Sequence, residues 1–346
     1  MTKKLTILAL LVVLGLGLTT YVLAESTVLL NAAGATFPYP MYSKWFDMYR
    51  NAHPNVQINY APIGSGGGIR QILAGTVDFG ASDGPMTDDQ INEFKQKRGM
   101  EILHFPTVLG AAVPSYNIPG VTAKLNFTQS ALTGIYLGTI TKWNDPQIAN
   151  ANPGVNLPAN DIVVVHRSDG SGTTYIWTDF LSKASSDWKS KVGTNTSVNW
   201  PVGLGGKGNE GVSGLVTQTP NAIGYVELIY AIQNHIDYGN VQNASGKYIN
   251  ADLASVSEAA SGAARNMPED FRVSITNAPG ATAYPISSFT WLLIPARIDD
   301  AAKREAIKDF LKWMITDGQN YTEALSYARL PKPVQTKELA AIAKIQ

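Results

Sequence analysis

The sequence predicts an α/β protein. Short apolar runs of strand length alternate with stretches whose large apolar residues recur at helical spacing. Each polar, glycine-rich turn falls at the carboxyl end of a strand, where open α/β sheets bind ligands. The chain has 346 residues, more than a common single domain, so two domains are expected.

The elements follow in order. Residues 28–30 read as a strand, and Tyr42, Trp45, Phe46 and Tyr49 fall on one face of a helix. Thr36 is the expected N-cap of that helix, and Pro38 suits its first turn. Residues 56–60 alternate as a second strand. Ile63-Gly64-Ser65-Gly66-Gly67-Gly68 then leads into a helix through Ile69, Ile72 and Leu73. Three glycines at a helix start weaken it, so the bare backbone serves either close approach of a ligand or packing against a neighbouring element. Residues 77–82 form a third strand, ending at Asp83-Gly84-Pro85. Thr87 and Gln90 make a capping box for a helix ending near Arg98. Residues 102–105 and 108–113 read as two strands and 131–137 as a short helix. Residues 143–158 form a Pro/Asn-rich loop.

Residues 162–165 are a buried strand, followed by His166-Arg167-Ser168-Asp169-Gly170-Ser171-Gly172-Thr173-Thr174 and a helix. A helix start offers unpaired N–H groups and the positive end of the dipole, and Arg167 adds a charge beside it. This stretch is either an anion cradle or an ordinary capped helix. Further on, 209–216 is helical, 222–226 a strand and 251–264 helical. Residues 289–294 form a strand, Ala302, Phe310, Trp313 and Met314 share a helix, and 339–345 form a last helix.

Lys3 and Lys4 precede an apolar run, 5–18, and Ala24 ends a plausible cleavage site. This is the layout of a secretory signal peptide, residues 1–24, with an uncleaved anchor as the alternative. Either way the body is exported. Cleavage leaves 25 basic and 27 acidic residues, net −2, so no global field draws the chain to nucleic acid. Cysteine is absent, which excludes disulfides, thiolate metal sites and a cysteine nucleophile.

Gly203-Leu204-Gly205-Gly206-Lys207-Gly208 matches G-x-G-x-x-G, but no apolar strand precedes it, and a tight turn before a helix is expected there. Ser171 lies in Asp-Gly-Ser-Gly, not in a nucleophile elbow. His53, His104, His166 and His235 lack close metal spacing, so neither metal nor cofactor is expected. What remains is three helix starts bearing hydroxyls (Thr36, Ser65, and Ser171 with Thr173), one arginine, Arg167, and one acid at a strand end, Asp83. Hydroxyls and helix N–H groups bind a tetrahedral oxyanion. A carboxylate there repels an anion unless the anion has a proton to donate. Hydrogen phosphate has one; sulfate does not. Asp83 is thus either an acceptor that rejects unprotonated competitors or a turn residue before Gly84-Pro85.

These residues resemble the phosphate-specific solute-binding proteins of bacterial and archaeal ABC importers. The resemblance covers essentially the whole mature chain. It rests on Gly34-Ala35-Thr36-Phe37-Pro38, residues 63–68, residues 77–83, Arg167-Ser168-Asp169-Gly170-Ser171-Gly172-Thr173, residues 203–209 and Ala222-Ile223-Gly224-Tyr225-Val226-Glu227. It implies a two-lobe periplasmic-binding-protein fold of type II, each lobe a mixed sheet flanked by helices, with hinge strands between. Lobe one would be residues 25–116 plus 285–346, and lobe two 117–284. It implies phosphate bound by Ala35, Thr36, Phe37, Ser65, Asp83, Arg167, Ser171, Gly172 and Thr173, with Asp169 holding Arg167. Gly66 stands where many relatives have a second serine, and His166 where some have another basic residue. The implied protein is a periplasmic monomer without catalytic chemistry that delivers phosphate to the transmembrane permease of an ABC importer. The alternatives are a secreted phosphoester hydrolase using Ser171 or Thr173, and a receptor for another oxyanion such as arsenate.

Overall fold

The computed structural model describes residues 27–346; the expected signal peptide lies outside the described residues. The chain begins by alternating: β1 (Val28–Gly34), α1 (Tyr39–Ala52), β2 (Val56–Ala61), α2 (Ser65–Ala74), β3 (Phe79–Ser82) and α3 (Asp88–Arg98). The capping box of α3 forms as expected, with Thr87 accepting from the Gln90 N–H. Next comes β4 (Ile102–Asn117), one long strand where the sequence suggested two. Pro106, which has no N–H to give, falls between the two expected strands, and a bulge in β4 beside it keeps the strand continuous.

The middle of the chain holds β5 (Asn126–Phe127), α4 (Gln129–Leu137), α5 (Pro146–Ala149), β6 (Val163–Arg167), α6 (Gly172–Ala184) and α7 (Ser186–Lys191). There follow β7 (Leu204–Gly206), α8 (Gly208–Gln218), β8 (Ala222–Glu227), α9 (Leu228–Gln233), β9 (Asp237–Tyr238), β10 (Asn240–Gln242), β11 (Tyr248–Ile249) and α10 (Leu253–Arg265). The last elements are β12 (Ser287–Pro295), α11 (Ala301–Ile315) and α12 (Lys332–Ala341). The final helix starts earlier than expected because Pro331 supplies its entry and the buried Val334, Gln335 and Glu338 form its inner face.

The main sheet runs β2-β1-β3-β12-β4-β8-β6-β7, with β9 also on β4. At one end β1 pairs in parallel with β2 and β3; at the other β6 pairs in parallel with β8 and β7. β12 is antiparallel to both β3 and β4. Strand β4 links the halves. Up to Ala111 it pairs with β12, and from Ala112 onward it pairs with β8. This exchange of partner lies upstream of the expected division between 116 and 117. Residues 267–276 also span the halves. The Trp291 indole donates to Phe271 O and Arg272 pairs with Asp88, while Ser274 bonds Asp179 on α6. Each half has its own buried aromatics, Trp45 and Trp291 in one and Trp143, Trp177 and Trp188 in the other.

Candidate functional site

The two halves meet where β1, β3 and β6 end. Thr36 and Phe37 follow β1, Ser65 opens α2, Asp83 follows β3, Arg167 ends β6 and Ser171 caps α6. β1 and β3 run parallel, and β6, reached through β12, β4 and β8, runs opposite to them, so the carboxyl ends of the two halves face each other and residues far apart in sequence converge. Thr36, Phe37, Ser65, Asp83, Arg167, Ser171 and Thr173 are all buried.

Thr36 does not cap its helix; α1 begins at Tyr39 without a side-chain cap. Its hydroxyl faces across the cleft instead and accepts from Asn209 Nδ2 at 2.8 Å. The same amide lies 3.3 Å from Thr173 Oγ1, and Asn209 Oδ1 accepts the buried Glu227 N–H at 2.9 Å. Asn209 thus ties both sides of the cleft together. It lies at the end of the glycine-rich run 203–209, where the sequence marked only a turn. Here the run itself forms β7 and the start of α8.

Arg167 makes a two-pronged pair with Asp169, Nε to Oδ1 at 2.8 Å and Nη2 to Oδ2 at 2.6 Å. Its Nη1 points to Thr173 Oγ1 at 3.4 Å. Burial alone would raise the Asp169 pKa, but the Arg167 guanidinium and the Gly208 N–H hold it below the usual carboxylate value. Asp83 has the opposite balance. Burial pushes its carboxyl up to about 7, against the lowering effects of the Thr290 hydroxyl, the Arg167 charge and Ser65. Thr290 Oγ1 donates to Asp83 Oδ1 at 2.8 Å, and the Asp83 N–H donates to Ser65 Oγ at 3.1 Å.

The N–H groups of Ser65, Gly172 and Thr173 lie in first helical turns and have no partner within their own helices. Those of Thr36 and Phe37 have no backbone partner among the described residues. Ala35 is a correction. Its N–H donates to Ala81 O at 3.1 Å and its carbonyl accepts from the Tyr60 hydroxyl at 2.8 Å, so it gives the cleft no donor. Its place between β3 and β2 engages both groups.

The halves touch closely here. A Cβ on Gly172 would lie 2.5 Å from Asp83 Cβ and from Ser65 Oγ. Gly66 donates its N–H to Gly170 O at 2.8 Å across the cleft, with the two backbones in contact. Gly68 is pressed against the backbone of Gly34 and Ala81. Gly66 and Gly68 therefore serve packing against neighbouring backbone, and Gly67 makes room for the Ile63 side chain. His166 stacks on Trp200 at 4.8 Å with Nδ1 facing Arg167 O, and Ser171 Oγ accepts the Thr174 N–H as a helix cap. No base addresses Ser171 among the described residues.

Two α/β lobes closing a polar cleft, with hinge strands between them, define a ligand-binding shell, and the chain belongs to the PBP superfamily: the profile of the PBP superfamily domain matches residues 22–318. Within it, the chain is a member of the PstS family. It is 46% identical over 321 residues to the phosphate-binding protein PstS of Xylella fastidiosa, covering 92% of this chain and 86% of that protein. It is 41% identical over 338 residues to the phosphate-binding protein PstS of Pasteurella multocida, covering 97% and 94%. In fold it is similar to the solved structure of a high affinity periplasmic phosphate-binding protein, PfluDING, bound with phosphate, at TM-score 0.72 and 20% identity, covering 90% of this chain and 93% of that one.

Proposed function

We propose that the cleft binds inorganic phosphate as its hydrogen-bearing anion and delivers it to the permease of an ABC phosphate importer. The observation that carries this reading is Asp83, a buried carboxyl set among donors from both lobes. Ligand oxygens meet the N–H groups of Thr36, Phe37, Ser65, Gly172 and Thr173, the hydroxyls of Ser65, Ser171 and Thr173, and the Arg167 guanidinium, which Asp169 orients. The phosphate proton goes to Asp83. Membership in the PstS family supports the ligand and the role. A catalytic reading has no support, since Ser171 is used as a helix cap.

Lobe one is assigned as residues 25–116 with 285–346, and lobe two as 117–284, β4 carrying the crossing. Export through the N-terminal segment places the protein outside the cytoplasmic membrane, and it acts as a monomer. Among the described residues no helix is long and apolar enough to cross a membrane. Titration calorimetry with phosphate and with sulfate tests the reading. Tight phosphate binding with far weaker sulfate binding is expected; comparable binding of both would refute the role of Asp83.

A further inference from the structure

Thr290 is a buried hydroxyl residue of β12, flanked by Phe289 and Trp291. The register Trp291↔Ser82, Leu292↔Ala81 continues to Thr290 opposite Asp83, just past the end of β3. On its other side the extra residue of a bulge lies in β4: Phe289 pairs with Leu109 and Trp291 with Pro106, so Thr107 and Val108 together stand opposite Thr290. Bulges re-aim side chains and increase local twist, and this one lies directly opposite the residue whose hydroxyl reaches Asp83. The backbone of Thr290 is fixed as well. Thr107 Oγ1 donates to Thr290 O at 3.3 Å, and Thr107 in turn accepts from the Tyr42 hydroxyl at 3.0 Å. Tyr42 belongs to α1, the helix that follows Thr36 and Phe37.

We propose that Thr290 is the positioning residue that keeps Asp83 a proton acceptor. Its single hydroxyl proton occupies Oδ1, so that Oδ2, which accepts only a long bond from Ser65 Oγ at 3.4 Å, faces the ligand, and Thr290 sets the pH range in which the cleft prefers a protonated oxyanion. This inference rests on the phosphate reading of the cleft.

The chemistry is a matter of donors and acceptors. An ionised Asp83 accepts from hydrogen phosphate and repels sulfate. A protonated Asp83 donates, and a donor welcomes an unprotonated oxygen. Discrimination is therefore lost when Asp83 protonates. The ligand-facing oxygen, Oδ2, lies beside Ser65 Oγ and 2.4 Å from where a Cβ on Gly172 would sit. The other titratable and charged groups that act on Asp83 or respond to it are Arg167 on β6, Tyr42 on α1, Tyr60 on β2, Glu227 at the end of β8, and Tyr327. Of these only Arg167 is positive. Its charge and the hydroxyls of Thr290 and Ser65 oppose the burial that drives Asp83 toward its neutral form. Removing the Thr290 hydroxyl tips that balance.

The test compares the parent, Thr290→Val and Thr290→Ser. Valine keeps the shape and loses the hydroxyl; serine keeps the hydroxyl. Phosphate and sulfate affinities are measured by titration calorimetry from pH about 8 down to about 5.5, a range that spans the raised Asp83 value of about 7. Thr290→Val is expected to lower the phosphate-to-sulfate ratio about tenfold or more, as for loss of a hydrogen bond to a charged group. The decline is expected to begin at higher pH than in the parent, and Thr290→Ser to restore the parent's profile. Thr290→Ala removes the same hydroxyl with less bulk and gives a second readout if the valine variant does not fold. A ratio and pH profile unchanged in the valine or alanine variant overturn the inference. So does an equal loss of both anions with no change of profile, which marks a packing role alone. A parent that binds phosphate and sulfate alike overturns the phosphate reading itself, a result visible before any variant is made.

Discussion

Gly172→Ala isolates the contact between the lobes. Gly172 is the first residue of α6 and does not have positive φ, so alanine fits its backbone and keeps the N–H that a ligand would use. The added methyl would lie 2.5 Å from both Asp83 Cβ and Ser65 Oγ. Relaxed carbon contacts need about 3.5 Å, so α6 must retreat by about 1 Å from lobe one. Neither neighbour is the end of a long side chain that could swing away. Overpacking of this kind costs about 1–3 kcal/mol, which is about 5- to 150-fold in phosphate affinity. The penalty belongs to the closed cleft only. With the lobes apart, alanine is the better helix residue by up to about 1 kcal/mol. The expected result is weaker phosphate binding by calorimetry together with an unchanged or higher melting temperature in the absence of phosphate. Affinity within a factor of about two of the parent, well inside the range worked above, would refute the argument that closure brings Gly172 against Asp83 and Ser65.

Asp83→Asn is expected to admit sulfate, because the amide donates to an unprotonated oxygen. It also gives a pH-dependent stability readout. A carboxyl whose folded pKa is raised to about 7 holds a proton that the unfolded chain has already lost, so stability falls as pH rises from about 4 to about 7. The asparagine variant lacks this loss, and its advantage is expected to grow across that window to at most about 4 kcal/mol in urea denaturation. A constant difference between the two would contradict the raised value. Asn209→Ala leaves the Glu227 N–H without its acceptor and unties Thr36 from Thr173. It is expected to lower unfolding free energy by about 1–3 kcal/mol and to weaken phosphate binding, and an unchanged urea midpoint would count against the bridging role. Arg167→Lys cannot reproduce the two-pronged pair with Asp169, and about a tenfold or greater loss of phosphate affinity is expected. Parent-like affinity would remove Arg167 from the site.

Much of the cleft was legible because each loop carried its own chemistry. Asp83 ended an apolar run, and Ser65, Ser171 and Thr173 stood at helix starts, so local signals marked them. Thr36 was marked for the wrong reason. Its spacing suggested a cap, whereas its partner is Asn209, far along the chain. Thr290 and Asn209 went unmarked because their roles exist only in three dimensions. A hydroxyl in an apolar strand was the one available sign of Thr290, and cross-strand register gives it meaning. The glycines of residues 64–68 were ambiguous for the same reason. Sequence shows that a bare backbone is needed but not against what, and the neighbours are Gly34, Ala81 and Gly170 with the side chains of Ile63 and Asp169. The long strand β4 was read as two because Pro106 interrupts the local pattern. The partner strands that make it continuous come from elsewhere in the chain.

The most direct measurement is a crystal structure of the protein grown with phosphate at a pH of about 8, above the raised Asp83 value. One phosphate is expected between the lobes, with an oxygen at short hydrogen-bond distance from Asp83 Oδ2. The remaining oxygens must meet Thr36, Phe37, Ser65, Arg167, Ser171, Gly172 and Thr173. A phosphate bound elsewhere, or one in the cleft turned so that no oxygen approaches Asp83, would contradict it.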